Sequence, residues 1–254
     1  MLGSKLVGDY FMRKDGRTSR QMRPLRITPD FTKNATASVL VEFGDTKVLC
    51  TAFAEDGVPS FLRHASPPQG WLTAEYSMLP GATLSRSKRE RQNVGGRTQE
   101  IQRLIGRSLR GVIDLTACPD VTLTIDCDVL QADGGTRTAS ITGAYVALKM
   151  ACDRLMRSGK MKRNPITDGV AGISIGIAKG DLLCDLNYVE DSSADLDMNV
   201  VITHTGRFLE IQGTAEKGSF SKEQVMGIME LAEGVLKPVF AAQNLAIDGQ
   251  IAEA

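Results

Sequence analysis

The run Thr122–Ala144 constrains the fold more than any other stretch, because its patterning changes from strand-like to helix-like at two glycines. Its first half alternates apolar and polar residues, which is typical of a half-buried β-strand. Beyond Gly134-Gly135, from about Thr138, apolar residues recur at three- and four-residue spacing, which predicts a helix. These residues are Ile141, Tyr145, Leu148, Ala151, Cys152 and Leu155. The run therefore predicts a strand, a tight turn and a helix in direct succession.

The turn has the composition of an anion-binding site. Glycine lets the backbone approach a ligand closely, and the first N–H groups of a helix lack internal partners and carry the positive end of its dipole. Gly135, Thr136 and Arg137 would add a hydroxyl and a guanidinium for an anion such as phosphate. No Gly-Lys-Ser/Thr follows, so the run is not a nucleotide P-loop. A tight turn capped by Thr136 explains the same residues, and the pattern alone leaves both interpretations open.

Length and composition limit the class of protein. A chain of 254 residues with 42% hydrophobic residues fits one large domain or two small ones. No apolar run approaches the roughly 20 residues needed to cross a bilayer, so we expect no membrane association. Five cysteines without a C-x-x-C pair suggest a reducing compartment, the cytoplasm. We interpret residues 1–12 as an N-terminal extension, 13–242 as a single catalytic domain and 243–254 as a frayed C-terminal tail.

The formal net charge of zero hides a segregation of charge along the chain. Residues 13–26 carry six basic and one acidic side chain, and residues 86–110 carry eight basic and two acidic ones. Residues 185–197 carry five acidic side chains and no basic one. The pattern predicts basic patches beside an acidic pocket. Within the first basic segment we predict that Arg17 and Arg20 contact a polyanion; a solvated lead-in to the first strand is the alternative.

The second basic segment begins in a long loop. Residues 80–96 have no core-facing pattern, and clustered arginines in such a loop commonly hold phosphate backbones. An amphipathic helix is predicted over Thr98–Ile113, with Arg97 at its start, directly after Gly95-Gly96. This is a second junction of two glycines, an arginine and a helix. Two such junctions support an anion site more strongly than either one alone.

Four carboxylates crowd into the eight positions from Glu190 to Asp197. Such crowding raises carboxyl pKa values and calls for a compensating cation, arginines or a shared proton. Carboxylate oxygens suit Mg²⁺ or Mn²⁺, which makes Asp191 and Asp197 candidate ligands. An exposed acidic loop is the alternative. Asp197 fits that alternative least, because we predict it immediately before a strand, on rigid backbone.

The order of the predicted elements indicates a mixed α+β fold with helices covering sheets. A hairpin and a further strand precede the first helix, and four strands and a long helix follow the second one. The predicted strands are 37–43, 47–53, 71–79, 121–129, 170–178, 182–188, 198–204 and 208–213, and the last helix is 221–242, with Ser221 and Gln224 forming a capping box.

Several blocks together resemble the ribonuclease PH family. They include Val41-Glu-Phe-Gly-Asp-Thr-Lys-Val-Leu-Cys, Gly95-Gly-Arg-Thr-Gln-Glu-Ile-Gln-Arg, Asp126-Cys-Asp-Val-Leu-Gln-Ala-Asp-Gly-Gly-Thr-Arg, Cys184-Asp-Leu-Asn-Tyr-Val-Glu-Asp, Asp197-Met-Asn-Val-Val and Gln212-Gly-Thr-Ala-Glu. The resemblance implies a fold like the second domain of ribosomal protein S5, with mixed sheets covered by helices. It also implies a homohexameric ring, a trimer of dimers. The implied activity is phosphorolytic 3′-to-5′ exoribonuclease action on tRNA precursors, with inorganic phosphate as co-substrate and nucleoside diphosphates as products.

The resemblance also implies roles for individual residues. Arg97 and the turn Gly135-Thr136-Arg137 are implied to bind inorganic phosphate. Asp191 and Asp197 are implied to line the catalytic pocket, where they hold a divalent cation such as Mg²⁺ or act as a general acid.

The implied nucleic-acid partner is RNA with a free 3′ end, and no DNA. Arg86 and Arg89 of the basic loop are implied to grip it. A non-catalytic, RNA-binding ring subunit is the rival from another functional class. Such a subunit would be expected to lack the phosphate arginines or the acidic pair, and this chain has both. A relative of polynucleotide phosphorylase would need two such cores, which 254 residues cannot hold.

Overall fold

The computed structural model describes residues 13–90, 93–178, 180–216 and 218–254. The predicted N-terminal extension, residues 1–12, lies outside the described residues. The first half contains β1 (Leu25–Pro29), β2 (Ala37–Phe43), β3 (Thr46–Asp56), β4 (Trp71–Met78), α1 (Gly96–Arg110), β5 (Val121–Gln131) and α2 (Thr136–Arg157). The second half contains β6 (Val170–Ala178), β7 (Asp181–Cys184), α3 (Tyr188–Asp191), β8 (Leu196–Thr203), β9 (Phe208–Ala215), α4 (Lys222–Ile247) and β10 (Ala252–Glu253).

The first sheet is mixed, in the strand order β10-β1-β2-β3-β5-β4. β4 runs parallel to β5, and the other neighbouring strands are antiparallel. The predicted hairpin is confirmed: β2 and β3 pair across a tight turn at Gly44 and Asp45. β5 shows the predicted alternation, because its residues are in turn buried and half-buried along most of the strand.

The second sheet is antiparallel, in the order β7-β6-β8-β9. Asn199 of β8 lies opposite Ser174 of β6 and Gln212 of β9. Asp197 lies opposite Gly176 and Thr214 in the same two ladders. Directly opposite residues of paired strands project to the same face of a sheet, as do residues two apart along one strand. One face of this sheet therefore carries a row of polar side chains.

Helix α2 packs between the two sheets, against β2 and β3 on one side and β6 on the other. The predicted apolar stripe is buried, and so are most residues on the other faces, which is typical of a core helix. Its approach to the first sheet is close at Gly143, where a Cβ would lie 2.6 Å from Val41 Cγ1 and 2.8 Å from Cys50 Sγ. A larger residue there would push the helix off the sheet and move its N-terminus.

The α+β architecture is confirmed, and three local predictions are wrong. The strand predicted to end at Tyr188 ends at Cys184, so that Asp191 closes the short helix α3. Asp197 lies inside β8 rather than before it. The frayed tail predicted from residue 243 instead continues α4 to Ile247 and then forms β10, which pairs with β1. The capping box of Ser221 and Gln224 is confirmed.

The tail prediction fails because strand pairing satisfies its backbone and α4 buries Gln243 and Ala246, neither of which local sequence reveals. Within the described ranges, no helix combines the length and the apolar composition needed to cross a bilayer.

Candidate active site

Two helices begin at a glycine, and each places an arginine of its first turn at the wall of the same cavity. Gly95 is the N-cap of α1 and Gly135 is the N-cap of α2, and neither helix receives a hydrogen bond from a capping side chain. The N–H groups of both first turns thus lack a capping side chain as a partner. Arg97 and Arg137 occupy the second helical position of their helices. The start of α2 therefore offers a dipole and a guanidinium to an anion. The start of α1 offers the Arg97 guanidinium, because the Glu90 carboxylate already lies beside Gly95 and accepts the Thr98 hydroxyl at 3.2 Å.

The two helix ends line one cavity of about 810 Å³. Every residue predicted for phosphate binding or catalysis is at its wall, which brings together parts of the chain far apart in sequence. Those residues are Arg97, Gly135, Thr136, Arg137, Asp191 and Asp197. The convergence of two glycine junctions on paired aspartates is thus a property of the fold, while the chemical role of each residue stays a prediction.

A chain of polar contacts joins the two helix ends. Arg137 Nη1 donates to Gln212 Oε1 at 3.2 Å, and Gln212 Nε2 donates to Glu100 Oε1 at 2.6 Å. Glu100 of α1 also lies 3.9 Å from Arg137 Nη1. These contacts hold the guanidinium of Arg137 beside α1 while leaving most of its N–H groups free for a ligand, because the fork has five.

The turn at Gly134 and Gly135 packs closely against the start of the acidic segment, residues 185–197. Gly134 and Gly135 have φ values of 74° and 63°, a region that side chains other than glycine rarely adopt. A Cβ on Gly134 would also clash with the Leu186 carbonyl oxygen and lie 2.8 Å from the carbonyl carbon of Asn187. Glycine is therefore required both for the turn and for the approach of the acidic segment to α2.

Thr136 lies at the mouth of α2 with its hydroxyl 2.9 Å from the hydroxyl of Tyr76. When Tyr76 donates in this pair, the Thr136 proton is free to donate into the cavity. The pair thus orients a neutral donor next to the first-turn N–H groups.

The two aspartates are the perturbed acids of the cavity. Burial, and then the charge of Asp191, raises the pKa of Asp197 to about 6, against the pull of Arg137 and Arg97. Burial also raises the pKa of Asp191, and both arginines lower it. Asp197 Oδ1 is buried and accepts no hydrogen bond from the residues that the structure describes. A buried carboxylate oxygen without a partner in a cavity of this charge is suited to a proton or a cation.

Comparison with known proteins assigns the chain to a family. Sequence models of the 3′ exoribonuclease family match it, domain 1 over residues 21–152 and domain 2 over residues 168–235. The chain belongs to the ribonuclease PH family of 3′ exoribonucleases. The interpretation of residues 13–242 as one domain stays a prediction, although buried residues from both matched ranges join one hydrophobic cluster.

Solved exosome proteins share the ribonuclease PH fold. The crystal structure of rice (Oryza sativa) Rrp46 superimposes with a TM-score of 0.75 at 19% identity, over 93% of this chain and 100% of that one. An Archaeoglobus fulgidus exosome chain gives a TM-score of 0.74 at 20% identity, over 94% of this chain and 92% of that one. An archaeal exosome core chain gives 0.72 at 18% identity, over 93% and 91%. The predicted fold, like that of the second domain of ribosomal protein S5, is confirmed.

The side chains of the cavity supply only part of the ligand set that a Mg²⁺ ion needs. Among the described residues no cluster of three His, Cys, Asp or Glu side chains is arranged to hold a metal. Asp191 and Asp197 supply two carboxylates, one with a buried oxygen that has no partner. Mg²⁺ usually keeps several waters and binds through one or two carboxylates and substrate phosphates. The donor set thus fits an ion that enters with the phosphate ligands rather than a pre-formed protein cage.

The arginine-rich segment 13–26 makes most of its contacts with the protein interior, which corrects one prediction. Arg17 is only 6% exposed, and its Nη1 donates to the Asp185 carbonyl at 3.0 Å. Its Nε forms an ion pair with the Asp15 carboxylate at 2.8 Å. It is therefore not placed to bind RNA. Arg20, the other predicted residue of this segment, is exposed. The sequence could not distinguish Arg17 from Arg20, because the Asp185 carbonyl that helps to bury Arg17 lies 168 positions along the chain.

Arg13 is the most saturated of these buried arginines. Its Nε donates to Glu190 Oε1 at 2.6 Å, and Nη2 donates to the second oxygen of Glu190 and to the Asp185 carbonyl at 2.9 Å. Its Nη1 donates to the carbonyls of Cys184 at 2.7 Å and Gln21 at 3.2 Å. These five contacts equal the five N–H groups of a guanidinium. Arg13 thus clamps the residue that precedes Asp191 in α3.

Arg23 connects Asp185 to the turn at Gly134 and Gly135. Its guanidinium and backbone N–H bind the buried Asp185 carboxylate, with N–O distances of 2.7 to 2.9 Å. Its Nη1 donates to the carbonyl of Asp133, whose carboxylate in turn accepts the Tyr188 N–H at 3.1 Å. The arginines therefore fix the distance between the glycine turn and α3.

Replacement of Arg13 by methionine is expected to cost about 3 kcal/mol of unfolding free energy, because it removes five hydrogen bonds of a buried guanidinium and leaves the half-buried Glu190 carboxylate without its main partner. Urea unfolding checks this. Arg26→Met is the matched control, since the Arg26 side chain is 50% exposed and its ion pairs are 3.6 and 3.9 Å long. Equal losses in the two variants would contradict the clamp.

Arg86 and Arg89 are exposed in the loop that precedes α1, where an extended RNA chain could reach them. The loop is anchored at its start, because Ala82 is buried and its carbonyl accepts the Ala132 N–H at 2.8 Å. Burial and the charge of Asp126 raise the pKa of Asp128 on β5, and the charge of the nearby Arg89 opposes that rise. Their placement is compatible with the predicted RNA contact, which stays a prediction.

Sequence reasoning missed polar residues of the cavity floor, among them Ser174 and Asn199. Neither carries charge, and neither stands in a recognisable motif of its own. One signal was available: Asn199 follows Asp197 by two positions in a strand-like run, so the strand period puts both on one face.

Proposed function

We propose that this chain is a phosphate-dependent 3′-to-5′ exoribonuclease that trims tRNA precursors and other RNA with free 3′ ends. The observation that supports it most is the convergence of Arg97, Arg137 and the N-terminus of α2 on the cavity that holds Asp191 and Asp197. The size and charge of inorganic phosphate match the site formed by Arg97, Arg137 and the start of α2. Asp191 and Asp197 are placed to act on the departing 3′ oxygen.

In the proposed reaction, an oxygen of phosphate held by Arg97, Thr136 and Arg137 attacks the phosphorus of the last phosphodiester. A new P–O–P bond forms, the P–O3′ bond breaks, and a nucleoside diphosphate leaves. The two anions repel, so the arginines and helix N-termini must offset their charge and hold them in line. The departing 3′ oxygen receives a proton from Asp197 or Asp191, whose raised pKa values suit a general acid.

A divalent cation, Mg²⁺ in this proposal, would be held by Asp191 and Asp197 and would stabilise negative charge on the transferring phosphoryl group. With the ion bound, Asp191 and Asp197 would be its ligands, and a water would replace them as the proton donor to the 3′ oxygen. Both versions place the acidic pair at the leaving group and the arginines at the nucleophile.

The RNA partner is proposed from the family and from the Archaeoglobus fulgidus exosome, which was solved with RNA bound to its active site. Arg86, Arg89 and Arg20 are exposed and available to the RNA backbone. A homohexameric ring, a trimer of dimers, and a cytoplasmic location belong to the same proposal. All five cysteines are buried thiols, which suits a reducing compartment.

A test of the proposal is phosphate dependence. Incubation of a tRNA precursor with the protein, Mg²⁺ and inorganic phosphate is expected to release nucleoside diphosphates one at a time, detected by chromatography. Omission of phosphate should stop the release. Nucleoside monophosphates formed without phosphate would show a hydrolase and overturn the proposal.

The likeness to exosome chains favours one rival, an RNA-binding ring subunit without activity. Such a subunit would bind the same RNA in a gel-shift assay and release no nucleotide with or without phosphate. The presence of both arginines and both aspartates at one cavity supports the enzyme.

A further inference from the structure

Asn199 is a buried polar residue whose side chain has no hydrogen-bond partner. It is 5% exposed and lies at the wall of the cavity. Within the described ranges, no hydrogen bond or electrostatic contact reaches its side-chain amide. Among the described residues, the fully buried side-chain atoms without a partner are Asp197 Oδ1 and Gln243 Oε1, so the polar atoms of the Asn199 amide are accessible from the cavity. An amide held at a cavity wall with no protein partner can hydrogen-bond a ligand that enters there.

The ladders of the second sheet locate the amide. Asn199 lies opposite Ser174 on β6 and opposite Gln212 on β9, and it projects to the face that carries Asp197. Ser174 Oγ lies 3.7 Å from where a Cβ of Gly135 would be, so this side of Asn199 is next to the N-cap of α2. Gln212 on its other side accepts the hydrogen bond from Arg137.

Asn199 therefore lies in the sheet directly beneath the first turn of α2, between the glycine and arginine sides of the anion site. We propose that its side-chain NH₂ donates to an oxygen of bound inorganic phosphate. The helix N-terminus and the guanidinium approach the anion from above, and the amide would approach it from the sheet. This inference rests on the proposed phosphate site and adds a residue to it.

A neutral donor at this position has a specific use. The amide contributes a hydrogen bond without adding positive charge next to the two aspartates, whose ionisation state the arginines already influence. A lysine or arginine in the floor would lower their pKa values further and oppose their use as proton donors.

Calorimetric titration with inorganic phosphate tests the proposal without requiring turnover. Asn199→Ala is expected to raise the phosphate Kd about 10- to 100-fold, the range for one hydrogen bond to a charged group. Asn199→Asp should abolish measurable binding, because it replaces the donor by a like charge. Asn244→Ala, an exposed position on α4, is the matched control and should bind as the parent protein does.

Thermal unfolding without phosphate separates binding from a structural role. Since the amide has no protein partner to lose, the melting temperature of Asn199→Ala should stay within about 2 °C of the parent value. A phosphate Kd within twofold of the parent value, or absence of phosphate binding to the parent, would overturn the inference. Phosphate binding by a parent protein that releases no nucleoside diphosphate would instead refute only the proposed activity.

Discussion

Arg137→Ala is expected to lower the rate of phosphorolysis by about three orders of magnitude, because it removes a pre-oriented cation from the attacking phosphate and the transition state. The fold should survive. The Arg137 guanidinium makes one hydrogen bond, to Gln212, and one long ion pair, to Glu100, at the edge of an open cavity. Initial rates of nucleoside diphosphate release at saturating RNA and a range of phosphate concentrations measure the loss.

Two variants make that result specific. Arg137→Lys keeps the charge but loses the planar fork, so an intermediate rate is expected. Arg107→Ala removes a surface arginine of α1 that pairs with Glu210 at 2.9 Å and should leave the rate unchanged. Normal turnover by Arg137→Ala with unchanged phosphate dependence would discard the assignment of the phosphate site.

Asp197→Asn is expected to lower turnover by about 10²- to 10⁴-fold, the range for loss of a general acid or base. The asparagine amide keeps the shape of the aspartate side chain. It does not release a proton at neutral pH, and it lacks the negative charge that a Mg²⁺ ligand needs. The loss should appear in kcat, while the KM for RNA stays close to the parent value, because the RNA backbone is gripped elsewhere in the proposal. Unaltered kcat would remove Asp197 from the chemistry.

The same substitution is expected to stabilise the protein at neutral pH in EDTA and without phosphate. The pKa of Asp197 in the folded protein is about 6, above the ordinary 3.8, so ionisation costs the folded state more than the unfolded state. This cost is fully present above pH 6 and vanishes as the pH falls below 4. A shift of this size corresponds to about 1–3 kcal/mol once relaxation is allowed for.

Urea unfolding of parent and Asp197→Asn proteins at pH 8 and pH 4 measures this effect. The difference in unfolding free energy should favour the variant at pH 8 and nearly disappear at pH 4. Asp126→Asn is the control: burial also raises the pKa of Asp126 on β5, but this residue is outside the cavity wall. It should gain stability at pH 8 without losing turnover. A variant Asp197→Asn that is less stable than the parent at pH 8 would contradict the raised pKa.

Sequence patterns predicted most of the elements because their signals are local. The alternation of β5, the glycines at 134 and 135 and the periodicity of α2 each depend on neighbours within a few positions, and each prediction was confirmed. Element ends were less certain. The predicted tail failed because β10 exists only by pairing with β1, more than 220 residues earlier.

The residues of the candidate site also fall into those that the sequence identified and those that it did not. The sequence picked out Arg97 and Arg137 because each follows a glycine pair at the start of a helix, and it picked out Asp191 and Asp197 from their crowding. It misjudged Arg17, since the Asp185 carbonyl that buries this arginine lies 168 positions along the chain. Asn199 was missed for a related reason: an uncharged amide acquires meaning only from what surrounds it.

The sequence by itself determined which segments become strands and helices, where the backbone must be glycine, and which charged groups are available for chemistry. These properties follow from local sterics, hydrogen bonding and side-chain pattern. Only the tertiary structure decided that Arg97, the N-terminus of α2 and two aspartates share a cavity, that Arg13 and Arg23 hold its walls, and that the Asn199 amide faces it. Those properties depend on which distant surfaces pack together, and packing is set by the whole core at once.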